Sequence, residues 1–456
     1  MNVHMICLTR CAVLLAVALL APACATNPVT GGNDFVLMSE DQEIALGRQA
    51  NAEILKKTPV YEDPELEVLV QQVGETLASH SHRPELFYRF TVLDSTAINA
   101  FALPGGYIYI TRGLLAYLNS EAELAAVLGH EIGHVTARHS VRQQSTAAVT
   151  GILGAVVAAS TGIQGVDTLT DMAGTAIVRG YGREHELEAD RLGAEYLAKS
   201  GYDPNAMLEV VGVLKNQEAF ETMMAEKEGR EANVYHGLFS THPDNDARFR
   251  EVVNAAQLYR TGTTTRINRD SFLRTLNGLA FGDSEREGII RGNHFYHKPL
   301  DFTITFPENW RIENNADRIL AASPDNIALI QMSITDLNKR ITPKQFMEQR
   351  MRLKNLRQGS SLESSTLEGY TAIADSNTSF GARAVRYVVL YRDKRAYIFA
   401  CAVKNKNDSR RFDNDILATA RSFRGLTAAD EPYATEKKLA VIRAPAGTSY
   451  AGLAAD

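Results

Sequence analysis

The apolar positions of the chain change period several times. From about Phe35 to Leu77 the spacing is helical: Ser39-Glu40-Asp41-Gln42-Glu43 begins one helix, and Pro64-Glu65-Leu66 begins another with proline in its first turn. Phe87 to Leu93 alternates apolar and polar residues, as a strand does. Asn99 to Thr111 reads as two strand pieces about Pro104-Gly105-Gly106, the second β-branched and aromatic. Ser120 followed by Glu123 is a capping box that opens a helix. Leu124, Leu128, Ile132 and Val135 give that helix an apolar stripe to bury. Tyr181 to Leu197 predicts a second strong helix, ended by Gly201, and Asp203-Pro204 starts the next. His236 to Arg248 reads as a loop leading into another helix.

The pattern changes near Gly262 to Asp270, a polar stretch containing Thr263-Thr264-Thr265, where a domain boundary is expected. Beyond it Asp301–Phe306, Arg318–Ala322 and Ile327–Ile334 read as strands and Pro343–Leu356 as a helix. Ala384–Tyr391 and Ala396–Val403 form a hairpin, and Asp413–Ser422 a closing helix. The predicted class is α+β: a mostly helical domain with a small sheet over 35–262, then a separate α+β domain over 270–426. Pro307-Glu308-Asn309-Trp310 after a strand resembles small α+β domains of the PsbP/Mog kind. The tail, 427–456, reads as disordered; from Lys438 it also resembles the first half of a LysM repeat, without a following Asp.

Composition bounds the rest. With 456 residues, two or three domains are expected, and 45% hydrophobic with 22% charged residues is ordinary for globular chains. A net charge of −6 argues against nucleic acid as a main partner. Residues 1–23 read as a signal peptide: Arg10, the apolar run Cys11–Leu20, then Ala21-Pro22-Ala23. Cys24 after these small residues resembles a bacterial lipobox, although Ala21 stands where Leu is commonest. Lipidated Cys24 would tether the chain to membrane through a polar linker, 24–34. Ala25 in place of Asp resembles outer-membrane sorting in enterobacteria, which gives a periplasmic chain on the outer membrane. The other reading is an ordinary signal peptide cut near Ala25. Cys401 is then alone and reads as a buried core thiol. Ala147–Ile163 is apolar and small; it reads either as a flap over a cleft or as a membrane-contacting run.

The chemistry centres on His130-Glu131-Ile132-Gly133-His134, an HExxH sequence. Residues four apart share a helix face, so His130 and His134 can hold one metal ion, and Glu131 lies about 100° round the helix, close enough to act on a water there. Chance alone gives such a motif in about one or two chains per hundred of this composition, so it needs context. A catalytic zinc needs a third protein ligand. A metzincin would place a histidine where Ser140 stands; His139 is one place off and reads as a surface residue. Glu184, Glu186 and Glu188 are carboxylate candidates. Glu186 and Asp190 share one face, so one can bind metal while the other orients a ligand histidine, which leaves Glu184 and Glu188 as a solvated acidic face.

HEIGH followed by Glu186-Leu187-Glu188-Ala189-Asp190 resembles the HtpX-like, CAAX-prenyl-protease type of gluzincin metallopeptidase, as do NAFALPGGYIYITRGLL and the later Ser240-Thr241-His242-Pro243 with Arg248. The likeness runs from about Phe35 to Tyr259 and points to the periplasmic branch. It implies one Zn²⁺ on His130, His134 and Glu186, Glu131 as general base and Asp190 behind the ligands. Tyr235, His236, His242 and Arg248 are candidate oxyanion donors. The resemblance also makes His242 a self-inhibitory fourth ligand; the alternative is a plain loop histidine before proline. The strand around Asn99–Ala102 is expected to take an extended peptide by edge pairing, with Gly105 and Gly106 letting it flex. The expected activity is zinc endopeptidase cleavage of unfolded or misassembled envelope proteins, with an envelope partner for the second domain. The rival reading is a non-catalytic chaperone or scaffold lipoprotein.

Overall fold

The computed structural model describes residues 24–147, 181–228, 253–254, 256–259, 265–315, 317–364, 367–405, 408, 411–445 and 447–448. The fold is α+β. The chain divides into two compact units: Met1–Leu279 with Lys438–Asp456, and Ala280–Lys437. The division falls later than the polar stretch at 262–270 because helix Arg269–Thr275 and the residues after it put Phe272, Leu276 and Leu279 into the first core.

In the first unit, β1 (Cys24–Thr26) pairs antiparallel with β2 (Asn33–Phe35). The segment expected to be a loose linker is thus a hairpin. Asn27 closes it: its side-chain oxygen accepts from the N–H groups of Val29 and Thr30, and its amide donates to Asp34. Helix α1 (Glu40–Lys57) starts at a Ser39/Gln42 capping box, and α2 (Pro64–Ala78) at Asp63 with proline in its first turn. Strands β3 (Arg89–Leu93), β4 (Ala100–Leu103) and β5 (Tyr107–Thr111) form a sheet in the order β3-β5-β4, with β3 parallel and β4 antiparallel to β5. Gly105 and Gly106 sit at φ of 75° and 87°. A Cβ on Gly106 would stand 2.8 Å from the Phe87 carbonyl oxygen. The two glycines therefore make a tight packed turn rather than a flexing strand.

The short helix α3 (Arg112–Leu115) leads to α4 (Glu121–Thr136), which carries HEIGH. Ser120 Oγ accepts from the Glu123 N–H at 3.1 Å, but the Glu123 carboxylate accepts from the N–H of Asn119 rather than of Ser120. Only half of the expected capping box forms. Every residue from Ala122 to Thr136 is buried, so the predicted stripe is one side of a helix covered all round. Helix α5 (Arg183–Lys199) packs against α4, and α6 (Ala206–Glu228) follows. The α4/α5 crossing is made by small residues. A Cβ on Gly133 would meet the Ala189 carbonyl oxygen at 2.8 Å, one on Gly193 the His130 N at 2.9 Å, and one on Gly129 a Leu197 methyl at 2.8 Å. This close approach brings the second helix's carboxylates to the histidines of the first. The residues from Lys438 are not loose at their start: Leu439 exchanges backbone bonds with Leu279 and Gly278 and packs on the first core.

The second unit holds a seven-stranded antiparallel sheet. Its strands are Arg311–Asn315, Arg318–Ala322, Ala328–Asp336, Arg395–Val403, Gly381–Arg392, Leu367–Thr378 and Arg357–Ser364, in that spatial order. A three-stranded sheet (Ile289–Arg291, His294–His297, Phe302–Thr305) and the helix Asp413–Ser422 complete it. The hairpin about Arg392–Arg395 turns on Asp393 and Lys394, both at positive φ. The helix expected over 343–356 stops at Gln349; Arg352 and Asn355 take left-handed backbone and the chain turns into a strand at Arg357. Cys401 is buried in this core, and burial pushes its thiol up to about 12.

Candidate metal centre

His130 and His134 lie one turn apart on α4, with their Nε2 atoms 3.0 Å from each other. Glu186, fully buried in the first turn of α5, faces both. Its Oε2 is 3.6 Å from His130 Nε2 and its Oε1 is 3.7 Å from His134 Nε2. A tetrahedral ion with bonds of about 2.0–2.2 Å would separate its ligand atoms by about 3.3–3.6 Å. Glu186 turns one oxygen towards each imidazole, and one ligand atom from each of the three residues lies within 4.8 Å of the others, so two imidazoles and a carboxylate fit one small divalent cation. Among the described residues this is the group of three or more such side chains able to hold a metal.

The electrostatics agree. Burial alone would push the His130 imidazole down; its hydrogen bond to Asp190, together with the charges of Asp190, Glu186 and Glu131, holds it up at about 9. Asp190 Oδ1 stands 2.9 Å from His130 Nδ1, which leaves Nε2 turned towards Glu186. Glu131 is buried on the same helix. The ring of Tyr181 stacks on His134 with centroids 4.0 Å apart at 19°, and its hydroxyl meets Ser140 Oγ at 2.6 Å. Burial raises the Tyr181 phenol, so it stays protonated.

Two sequence readings are overturned. His139 is completely buried, not on the surface. Its Nδ1 lies 2.8 Å from His134 Nδ1 and its Nε2 lies 3.1 Å from Glu188 Oε2. Glu188 is not a solvated acid: Arg142 donates to the same oxygen at 2.9 Å. The bond to His139, then that to Arg142, draws the Glu188 carboxyl down to about 2, while burial pushes His139 down to about 4. Glu184 is exposed, as expected. Sequence reasoning named His139 and Glu188 but placed both at the surface, and it missed Tyr181 and Arg142. The available signal was the histidine five places after His134, with an acid two places after Glu186, one on each of the two crossing segments. Tyr235, His236, His242 and Arg248, and the apolar run past Ala147, lie outside the described residues. No helix among the described residues is long and apolar enough to cross a membrane.

The comparisons with known proteins fall on this region. The model of peptidase family M48 matches residues 64–256. The chain is 30% identical over 288 residues to a beta-barrel assembly-enhancing protease of Escherichia coli strain K12, covering 60% of this chain and 57% of that protein. It is 31% identical to the protein of the same name in Yersinia pestis, covering 52% and 48%. It is 30% identical to the mitochondrial metalloendopeptidase OMA1 of Saccharomyces cerevisiae, covering 34% and 43%. The chain thus spans about half the length of the bacterial relatives it matches. Among solved structures, the solution structure of cyanobacterial PsbP from Synechocystis sp. PCC 6803 aligns with 31% of this chain and 94% of its own, at 8% identity and a TM-score of 0.24, too low to support a shared fold. The matched segment contains both crossing helices and all three candidate ligands, and residues 64–256 are a peptidase family M48 domain.

Proposed function

We propose that this chain is a zinc-dependent endopeptidase of the bacterial cell envelope that cleaves unfolded or misassembled envelope proteins. The observation that carries it is the convergence of His130 Nε2, His134 Nε2 and Glu186 beside a buried Glu131. Zinc, when bound, supplies Lewis acidity for peptide hydrolysis at neutral pH. Glu131 takes the proton from the attacking water and passes it to the leaving amine. Asp190 holds His130 through Nδ1, so that Nε2 presents its lone pair to the cation. Substrate enters as an extended chain along β4, the last strand of its sheet, which lies against α4. Backbone pairing reads little side-chain identity, which suits unfolded chains. Arg248 is assigned to the developing oxyanion and His242 to a removable inhibitory contact, both on sequence grounds. On that assignment His242→Ala raises peptidase activity.

The names of the bacterial relatives and the signal-like segment ending at Cys24 support an envelope location, with a lipid on Cys24 as the anchor. The second unit is assigned to an envelope protein partner. A pure scaffold would have no use for Glu131, which disfavours the rival reading. Casein cleavage and zinc content of wild type and Glu131→Gln decide between them. The expected result is a loss of about 10²–10⁴-fold in rate with zinc retained. Equal cleavage by both proteins would defeat the protease reading.

A further inference from the structure

We infer that His139 and Glu188 are positioning residues for the metal centre: they form a relay, His134–His139–Glu188, that fixes the ring of His134 and feeds carboxylate charge to it. The inference rests on the metal reading above and goes beyond its ligand set. His130 and His134 are held differently. His130 reaches a carboxylate directly, with Asp190 Oδ1 2.9 Å from its Nδ1. His134 Nδ1 instead faces a second imidazole, His139 Nδ1, at 2.8 Å, and the carboxylate stands one ring further out, Glu188 Oε2 at 3.1 Å from His139 Nε2.

The bonds allow one proton arrangement. If His134 Nε2 offers its lone pair to a cation, its Nδ1 must carry the hydrogen and donate it. His139 Nδ1 then accepts, so the His139 hydrogen is on Nε2 and is donated to Glu188. Every donor along the chain points away from the metal and towards one carboxylate. Arg142 donates to the same carboxylate oxygen at 2.9 Å and lies 3.6 Å from Asp34 of the first hairpin. Stacking holds the rings in place: Tyr181 on His134, and His185 on His139 with centroids 4.4 Å apart at 19°. Partners of this kind behind a ligand histidine change metal affinity by about 10–100-fold.

The test uses the full chain. Zinc affinity is measured by competition with a chromophoric chelator, alongside thermal melting of the metal-free protein and ¹⁵N spectra of the histidine rings in the zinc-loaded protein. The variants are Glu188→Ala, Glu188→Gln, His139→Asn and Arg142→Gln. Glu188 is only partly buried, so its variants test the relay even where the fully buried His139→Asn does not fold. Expected are a roughly 10–100-fold weaker zinc affinity for Glu188→Ala and a smaller loss for Glu188→Gln, whose amide oxygen still accepts from His139; metal-free melting falls in Glu188→Ala, where the buried His139 N–H loses its acceptor, but out of proportion to the affinity loss. Arg142→Gln should cost several-fold less than Glu188→Ala, and the spectra should show His134 protonated on Nδ1 and His139 on Nε2. Wild-type affinity in both Glu188 variants overturns the relay. So does an equal loss in Arg142→Gln, which would make the ion pair the cause, or a fall in metal-free melting in step with affinity, which would mean general loosening. A wild-type protein that takes up no zinc sinks the metal reading instead.

Discussion

The two units bury very different things. At the centre of the first, the α4/α5 crossing encloses His130, Glu131, His134, Glu186 and Asp190, with His139 beside them. The centre of the second is apolar: Phe302, Phe399, Tyr397 and Phe423 pack around Ile330 and Met332. Its buried charges are paired: Arg386 with Asp413 at 2.6 Å, and Asp430 with Arg424 at 2.7 Å. Taking a carboxylate out of water is costly unless it is paired or binds a cation. The first unit accepts that cost at one place and surrounds it with closed ion pairs. Glu43 is shared by Arg83 and Arg138, each at 2.8 Å, and Arg83 also donates to the carbonyl of Val135 in the last turn of α4. Those bonds hold the C-terminal end of the helix whose middle carries the chemistry. The second unit is organised around apolar packing, and the first around a buried cluster of histidines and carboxylates.

The largest effect expected from this contrast is in the second core. Phe399→Ala removes a fully buried ring that packs edge-on against Phe423 and should cost that unit about 3–5 kcal/mol. Chemical denaturation followed by a probe in each unit measures it. Because Phe399 lies in the unit without the metal cluster, zinc affinity should not move; a parallel loss of zinc would break the contrast.

A smaller effect is expected at the crossing. Gly193→Ala raises helix propensity by about 1 kcal/mol, so at an unstrained position it would stabilise. Here the new Cβ would stand 2.9 Å from the His130 backbone nitrogen and 3.1 Å from His130 Cα. Backbone has to move, at about 1–3 kcal/mol, and the net sign should be destabilising. The same movement separates His130 from Glu186, so zinc affinity should fall at least about tenfold, in line with other disturbances of ligand support. A more stable Gly193→Ala protein with unchanged zinc affinity would show that the close crossing does not set the ligand geometry.

How far this was readable from the chain differs between the two units for physical reasons. The Ser120 cap, the Pro104-Gly105-Gly106 turn and both crossing helices are local features, and local spacing reveals them. His139 is not local: the apolar and polar neighbours in Val135–Arg142 give no hint that α5 covers it, because its burial comes from a helix more than forty residues on. Gly129, Gly133 and Gly193 look like weak helix positions until the partner helix is in place. In the second unit, the strands Arg357–Ser364 and Leu367–Thr378 went unread. The first is polar and ends the sheet, and the second buries small residues such as Ala372 and Ala374, so neither shows a strong alternation. The short helix at Pro343 ends early through left-handed backbone at Arg352 and Asn355, which composition does not mark.

The smallest effect concerns acid. His297 of the second unit sits against Phe302, with ring centroids 5.4 Å apart, and its Nδ1 accepts from the Leu300 N–H. Burial pushes its imidazole down to about 4 from an ordinary value near 6.5. The folded unit therefore holds this ring neutral where the unfolded chain would protonate it. Stability from His297 is complete above about pH 6.5 and is lost as pH falls towards 4, since the unfolded state binds the extra proton. At pH 5.5, one unit below the ordinary value, the loss is about 1.4 kcal/mol. His297→Phe keeps the ring packing and removes the titration, so the second unit of that variant should melt at the same temperature at pH 5.5 and pH 7.5. The wild-type unit should melt lower at pH 5.5. If both proteins lose the same stability between those two pH values, the acid response belongs to other groups, and the aromatic core does not contain the pH-sensitive element assigned to it.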